Sequence, residues 1–272
     1  MTAFLIVNPR SGDGGVEKLL AAAAERGIET HVLAEGDDPA EAARAAPADA
    51  LGIAGGDGSL APVAEVAIER GLPFVCVPFG TRNHFARDLG LDRNDPVAAL
   101  DAFTNGVERT IDVGRANDRL FLNNVSLGLY AQLVHRRERH RRRRDALARV
   151  RALGAVVGRH RPLGITLDGR PVDARAVLVS NNAYELSSLS LGERERLDEG
   201  CLHVYAPAGL MRARWEERSY SSLTIGANED RLRAAVDGEP DVLETPVEFR
   251  VEPGALRVLV PRGDSGIRRG GE

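Results

Sequence analysis

The 272-residue chain has almost no lysine: Lys18 is the single one among 36 basic side chains, and the rest are arginine. A P-loop kinase needs Gly-Lys-Ser/Thr after a strand, and that tripeptide is absent. A protein kinase needs a strand lysine and a pyridoxal-phosphate enzyme needs a Schiff-base lysine; Lys18 sits in neither context. Aromatic residues are only 4%, so Val, Leu, Ile and Ala must fill the core. Two cysteines, Cys76 and Cys201, exclude a disulfide framework and a cysteine-rich zinc site. Cys76 lies in the apolar run Phe74-Val75-Cys76-Val77 and reads as a core residue. No apolar run reaches the ~18–20 residues of a spanning helix, and no basic start precedes a long apolar stretch. The expectation is a soluble, cytoplasmic protein.

What is present is an ordinary globular composition, 43% hydrophobic and 28% charged. The first half alternates between two periods. Apolar runs at 3–7, 50–54 and 73–77 read as strands, 28–34 (Ile-Glu-Thr-His-Val-Leu-Ala) as a further strand, and 16–26, 39–46 and 60–70 as helices. Strand and helix in alternation at short spacing predict a Rossmann-like parallel sheet covered on both faces. Beyond Asp112 the texture changes to short β-like runs: 120–125, 163–168, 172–179, 201–206, 220–227, 231–237, 246–251 and 256–260. These predict an antiparallel sandwich or barrel, interrupted by a helical stretch at about 129–159. The expected organisation is an α/β domain over 1–112 and a β-rich domain over 113–261, with the tail 262–272 returning to the first.

Gly55-Gly56-Asp57-Gly58-Ser59 directly follows the third buried strand. Its glycines let the backbone turn sharply and approach a ligand with no Cβ in the way. The next helix points its N-terminal N–H groups and positive dipole end at the same loop, which suits a phosphate. Asp57 repels phosphate, so its natural role is to hold Mg²⁺, bridging carboxylate and phosphate oxygens. Two further loops leave the carboxyl ends of neighbouring strands, Asn8-Pro9-Arg10-Ser11-Gly12 and Phe79-Gly80-Thr81-Arg82-Asn83. In open parallel sheets ligands bind at that end. Asn8, Ser11, Thr81 and Asn83 offer hydrogen bonds there, and Arg10 and Arg82 offer forked charge. Late in the chain, Asp237-Gly238-Glu239 reads either as a hairpin turn or as a carboxylate source for proton transfer from an alcohol.

Five motifs stand in order: Asn8-Pro9-x-Ser11-Gly12, Gly55-Gly56-Asp57-Gly58-Ser59, Gly80-Thr81-x-Asn83, Phe121-x-Asn123-x-x-Ser126-x-Gly128 and Asp237-Gly238-Glu239. Together they resemble the diacylglycerol kinase catalytic-domain family, which includes bacterial lipid kinases, ceramide kinases and sphingosine kinases. The resemblance spans nearly the whole chain. It implies that the α/β domain binds ATP through the loops Asn8–Gly12, Gly55–Ser59 and Gly80–Asn83. It implies a lipid site in the β-rich domain and an active site in the interdomain cleft. Glu239 would accept the proton, with Asp237 beside it and Asp57 near nucleotide and Mg²⁺.

Some members of that family carry a structural Mg²⁺ at an Asp-Asp-Gly-like turn. The matching stretch here is Leu197-Asp198-Glu199-Gly200-Cys201, with Glu199 replacing the usual aspartate. Ser59 replaces a threonine and keeps the hydroxyl. His84 replaces a frequent aspartate, exchanging a carboxylate for an imidazole that is mostly neutral at pH 7. The open alternatives are an NAD kinase-like enzyme with the same Gly-rich loop, and a non-catalytic lipid- or nucleotide-binding relative.

Between Arg136 and Arg161 eleven arginines face only Glu138 and Asp145, a net +9 in a chain of net −4. Such a stretch reads as a solvated helix face or as attraction to anionic lipid, about 1 kcal/mol per basic residue near a membrane. No aromatic interleaves it and no helix-turn-helix or zinc spacing accompanies it, so no nucleic-acid partner is expected.

Overall fold

The computed structural model describes residues 2–12, 14–81, 83–128, 164–172, 174, 176–187, 190–191, 193–207 and 215–262. The predicted helix at 129–159 and the Arg136–Arg161 stretch lie outside them, as does Arg82. The chain divides into two compact units. The first comprises Met1–Val113, Glu193–Glu199 and Pro253–Glu272, described as far as Arg262. The second comprises Gly114–Gly192 and Gly200–Glu252. The stretch 253–261, read from the sequence as part of the second domain, thus packs with the first.

The first unit begins β1 (Ala3–Val7), α1 (Val16–Glu25), β2 (Glu29–Val32), α2 (Pro39–Ala45), β3 (Ala50–Gly55), α3 (Asp57–Arg70) and β4 (Phe74–Pro78). Its parallel strands run in the order β2-β1-β3-β4. Every residue of β3 and β4 is buried, as expected for strands covered on both faces. Leu19 and Ala23 of α1 and Leu60, Val63 and Ala67 of α3 supply the covering layers. Gly52 of β3 leaves room for Phe103, whose ring a Cβ would meet at 2.6 Å. Three short helices follow: α4 (His84–Asp88), α5 (Pro96–Ala99) and α6 (Asp101–Asn105).

The strands of the second half are β5 (Gly106–Ala116), β6 (Arg119–Phe121), β7 (Asn124–Gly128), β8 (Ile165–Leu167), β9 (Arg170–Val172) and β10 (Ala176–Asn181). They continue with β11 (Leu186–Ser187), β12 (Ser190–Leu191), β13 (Leu202–Pro207), β14 (Trp215–Tyr220) and β15 (Ser222–Ala227). Last come β16 (Arg231–Val236), β17 (Glu239–Glu244) and β18 (Val247–Pro261). An antiparallel sheet of order β14-β13-β10-β7-β16-β17 forms one layer of the second unit. The start of β18 with β15, β8 and β9 forms another. Their inward residues share one core that includes Val125, Leu127, Val179, Val204, Ile225 and Phe249. Phe121 meets Phe249 edge-on at 6.4 Å. The expected α/β half and sandwich-like β half are both present. The last part of β18 pairs in parallel with β4, Val258 opposite Phe74, and so closes the edge of the first unit's sheet. Among the described residues no helix is long and apolar enough to cross a membrane.

Candidate functional site

Helix α3 begins at Asp57, three residues earlier than its apolar pattern predicts. Asp57, Gly58 and Ser59 are therefore the helix's first turn, and Gly56 is its N-cap with no side chain to satisfy the exposed amides. The first amides of an α-helix have no intrahelical acceptor. Glycine backbone and a positive dipole end thus meet at one point, the arrangement that binds phosphate. Ser59 Oγ turns back to donate to the Gly56 carbonyl at 2.8 Å.

The three polar loops come together within the first unit. A Cβ on Gly80 would lie 2.4 Å from Gly56 Cα, so these two loops pack backbone on backbone. A Cβ on Gly12 would lie 2.9 Å from the Phe79 ring, so the first loop rests on the third. Asn8 Oδ1 accepts from the Arg10 amide at 3.2 Å and its carbonyl accepts from the Ser11 amide, which shapes the first loop. Asn83, with φ 49°, ties the third loop shut: its Oδ1 accepts from the Gly80 amide at 2.9 Å and its Nδ2 donates to the Gly80 carbonyl at 2.8 Å. Thr81 lies between these two anchors.

Asp57 carries a role that no local motif reveals. Its carboxylate accepts from the amides of His84 at 3.1 Å and Phe85 at 3.0 Å, capping α4 from the start of α3. Each oxygen keeps a second lone pair. A hard divalent cation suits those remaining sites. The Asp57 charge is also felt at Cys76: burial pushes that thiol far above its ordinary range, and Asp57 adds to the effect. Cys76 is therefore a core residue, as its sequence context predicts.

Asp237 and Gly238 form the two-residue tip between β16 and β17, both with positive φ (48° and 85°), so the hairpin reading holds. The Asp237 carboxylate also accepts three amides, from Leu122 at 2.8 Å, Asn123 at 2.7 Å and Asn124 at 3.1 Å. These bonds hold the break between β6 and β7, where the sequence predicts one unbroken strand. Asn181 Nδ2 adds a bond to the Leu122 carbonyl at 3.3 Å. Glu239, next but one along, is exposed at the start of β17. Within the pair Asp237 is buried and Glu239 is exposed. Replacing Asp237 by Ala strips three charge-assisted bonds at roughly 1.5 kcal/mol or less each and is expected to cost about 3–4 kcal/mol. Asp237→Asn, which keeps the turn preference, costs about half as much in urea unfolding. Equal losses for the two variants would show that the amide bonds contribute little. Glu199, the remaining predicted site residue, lies in the stretch leading into β13.

The fold and these loops define a class: an α/β unit with a glycine-lined helix start, joined in one chain to an antiparallel β unit. Residues 2–116 match the family described as "Diacylglycerol kinase catalytic domain", so the resemblance read from the motifs is to that family. A diacylglycerol kinase of Bacillus subtilis (strain 168) is 34% identical over 144 residues, 49% of this chain and 48% of the relative. The chain thus spans about half the length of that relative. A "Probable lipid kinase YegS-like" protein of Pseudomonas aeruginosa (strain PAO1) is 29% identical over 95% of this chain and 94% of its own. A crystal structure of a diacylglycerol kinase from Bacillus anthracis str. Sterne shares the fold, with a TM-score of 0.69 at 20% identity, covering 97% of this chain and 98% of that one.

Proposed function

We propose that this chain is an ATP-dependent lipid kinase that transfers the γ-phosphoryl group to the hydroxyl of a diacylglycerol-like lipid. The observation that carries this reading is the junction of Gly56, Gly80 and the start of α3. There, exposed backbone amides and close glycine packing offer a cradle for a polyphosphate. In this reading the amide of Gly58 and the side chains of Asn8, Ser11, Thr81, Arg10 and Arg82 hold the nucleotide's phosphates. Asp57 holds Mg²⁺, which supplies charge neutralisation on the transferring group when bound. The lipid hydroxyl oxygen attacks the γ-phosphorus in line, the bond to the ADP oxygen breaks, and the hydroxyl proton passes to Glu239. Asp237 is a positioning residue, since its oxygens are committed to the 122–124 backbone. The Arg136–Arg161 stretch draws the enzyme to anionic lipid surfaces.

Radiolabel transfer from ATP compares diacylglycerol in vesicles with sphingosine and with NAD. Labelled lipid from diacylglycerol is the expected product; label in NAD alone would move the protein to the NAD kinases. Glu239→Gln is expected to lower kcat by about 10²–10⁴-fold while KM for ATP stays near wild type. A parallel rise in KM with kcat unchanged would assign Glu239 to binding instead. A second reading, a binding protein without turnover, is favoured by His84 at the start of α4. It predicts that ADP binds but no label moves in any acceptor, and that His84→Asp raises turnover.

A further inference from the structure

Outside the loops described above, the hairpin of β13 and β14 gathers a second set of functional side chains. Cys201 and His203 stand at alternate positions of one extended segment, so they project to the same face. Their Sγ and Nε2 atoms are 3.2 Å apart. His203 Nδ1 lies 2.8 Å from Glu217 Oε1 on the partner strand. The ionised Glu217 only accepts, so Nδ1 carries the proton and Nε2 presents its lone pair toward the sulfur. The ring is held further by stacking on Tyr205, at 6.3 Å and 19°. Tyr205 also donates its hydroxyl to the same Glu217 oxygen at 3.2 Å. Glu199 lies two residues upstream of Cys201, across the bend at Gly200 (φ 70°), and the ligand atoms of Glu199, Cys201 and His203 all lie within 4.8 Å of one another.

We propose that Glu199, Cys201 and His203 form a zinc site, with Glu217 orienting the histidine. Zinc bonds of about 2.3 Å to sulfur and 2.0–2.1 Å to nitrogen at the tetrahedral angle put the two ligands roughly 3.6 Å apart. The observed separation needs only a few tenths of an ångström of adjustment. A carboxylate on the far ring nitrogen is the usual outer partner of a zinc-bound histidine, raising its basicity and fixing its tautomer. The donor set also decides between metals. Mg²⁺ demands six oxygens in an octahedron, whereas thiolate and imidazole favour zinc. The Mg²⁺ that the family resemblance implies at Glu199 thus fits these neighbours poorly. On binding, the Cys201 S–H bond breaks, its proton leaves to solvent and the thiolate pair forms the metal–sulfur bond. This proposal stands independently of the kinase reading.

The test uses the full-length protein with Zn²⁺, Co²⁺ and Mg²⁺ alone as probes. One equivalent of Zn²⁺ binds in competition with a chromophoric chelator, and excess Mg²⁺ does not displace it. Co²⁺ gives a thiolate-to-metal charge-transfer band in the near ultraviolet. The band disappears in Cys201→Ser and in His203→Gln, and Glu217→Gln weakens Zn²⁺ binding about 10–100-fold. Zn²⁺ also slows iodoacetamide labelling of Cys201 in the unaltered protein, a readout that needs no variant. No charge-transfer band, or a band that survives Cys201→Ser in folded protein, overturns the proposal and leaves only a thiol–imidazole hydrogen bond. Cys76 does not confuse the result, because burial holds its thiol protonated.

Discussion

Gly80→Ala is expected to reduce nucleotide affinity about 100-fold. The new methyl group would sit 2.4 Å from Gly56 Cα and 2.8 Å from Asn83 Oδ1. Gly56 Cα is backbone, and the Asn83 side chain is tied to Gly80 by two hydrogen bonds, so one loop must move. Forcing a methyl into a filled space costs about 1–3 kcal/mol in stability. A displacement of about 1 Å at a binding constellation is enough for a 100-fold functional loss. Gly27→Ala is the control. Gly27 has positive φ (68°), and a Cβ there would meet nothing within 4 Å. It is expected to lose stability through backbone strain while nucleotide affinity is unchanged. Calorimetric titration with ATP and Mg²⁺ reads both. If Gly80→Ala binds as the unaltered protein does, the Gly56–Gly80 junction is not the phosphate cradle.

Arg194→Ala is expected to cost about 3–5 kcal/mol, among the largest losses available to a single substitution in this chain. Arg194 Nε donates to Asp88 Oδ2 at 2.7 Å, and both side chains are 0% exposed. Removing the cation leaves a buried carboxylate whose remaining side-chain contact among the described residues is the distant one at 3.5 Å from Arg87 Nη2. The penalty comes from that abandoned charge rather than from the attraction lost. Replacing both partners, Arg194→Met with Asp88→Leu, is therefore expected to be much milder than Arg194→Ala. Urea midpoints for the single and double variants decide it. A double variant as unstable as the single one would mean that the pair itself, and not the orphaned charge, sets the loss.

The parts of the fold that were legible are those where one face or both faces of an element are uniformly apolar. The runs at 3–7, 50–54 and 73–77 could hardly be anything but buried strands, and they are β1, β3 and β4. Asp237-Gly238 was legible as a turn because few residues accept positive φ at two successive positions. What was hidden depends on partners distant in sequence. Asp57-Gly58-Ser59 looks like a loop, yet it opens α3. Helix α4 starts where Asp57, 27 residues upstream of His84, receives its amides. The runs at 246–251 and 256–260 looked like two strands, because Pro253 and Gly254 look like a break. They are one strand, β18, and the Gly254 amide (φ 60°) donates to Asp112 at 2.9 Å. The candidate site shows the same division. The loops were legible from glycine and polar composition. The commitment of Asp57 and Asp237 to backbone amides was not, since a carboxylate's partners leave no trace in local spacing.

The strand that closes the first unit's sheet beside β4 comes last in chain order among the described strands. A ribosome delivers β1 to β4 early, but the hydrogen-bonding edge of β4 stays open until residues near Val258 emerge. Synthesis of this protein therefore cannot finish its amino-terminal half first. A product truncated at the apparent midpoint would expose a bare apolar strand, and chaperone capture or aggregation would be its fate.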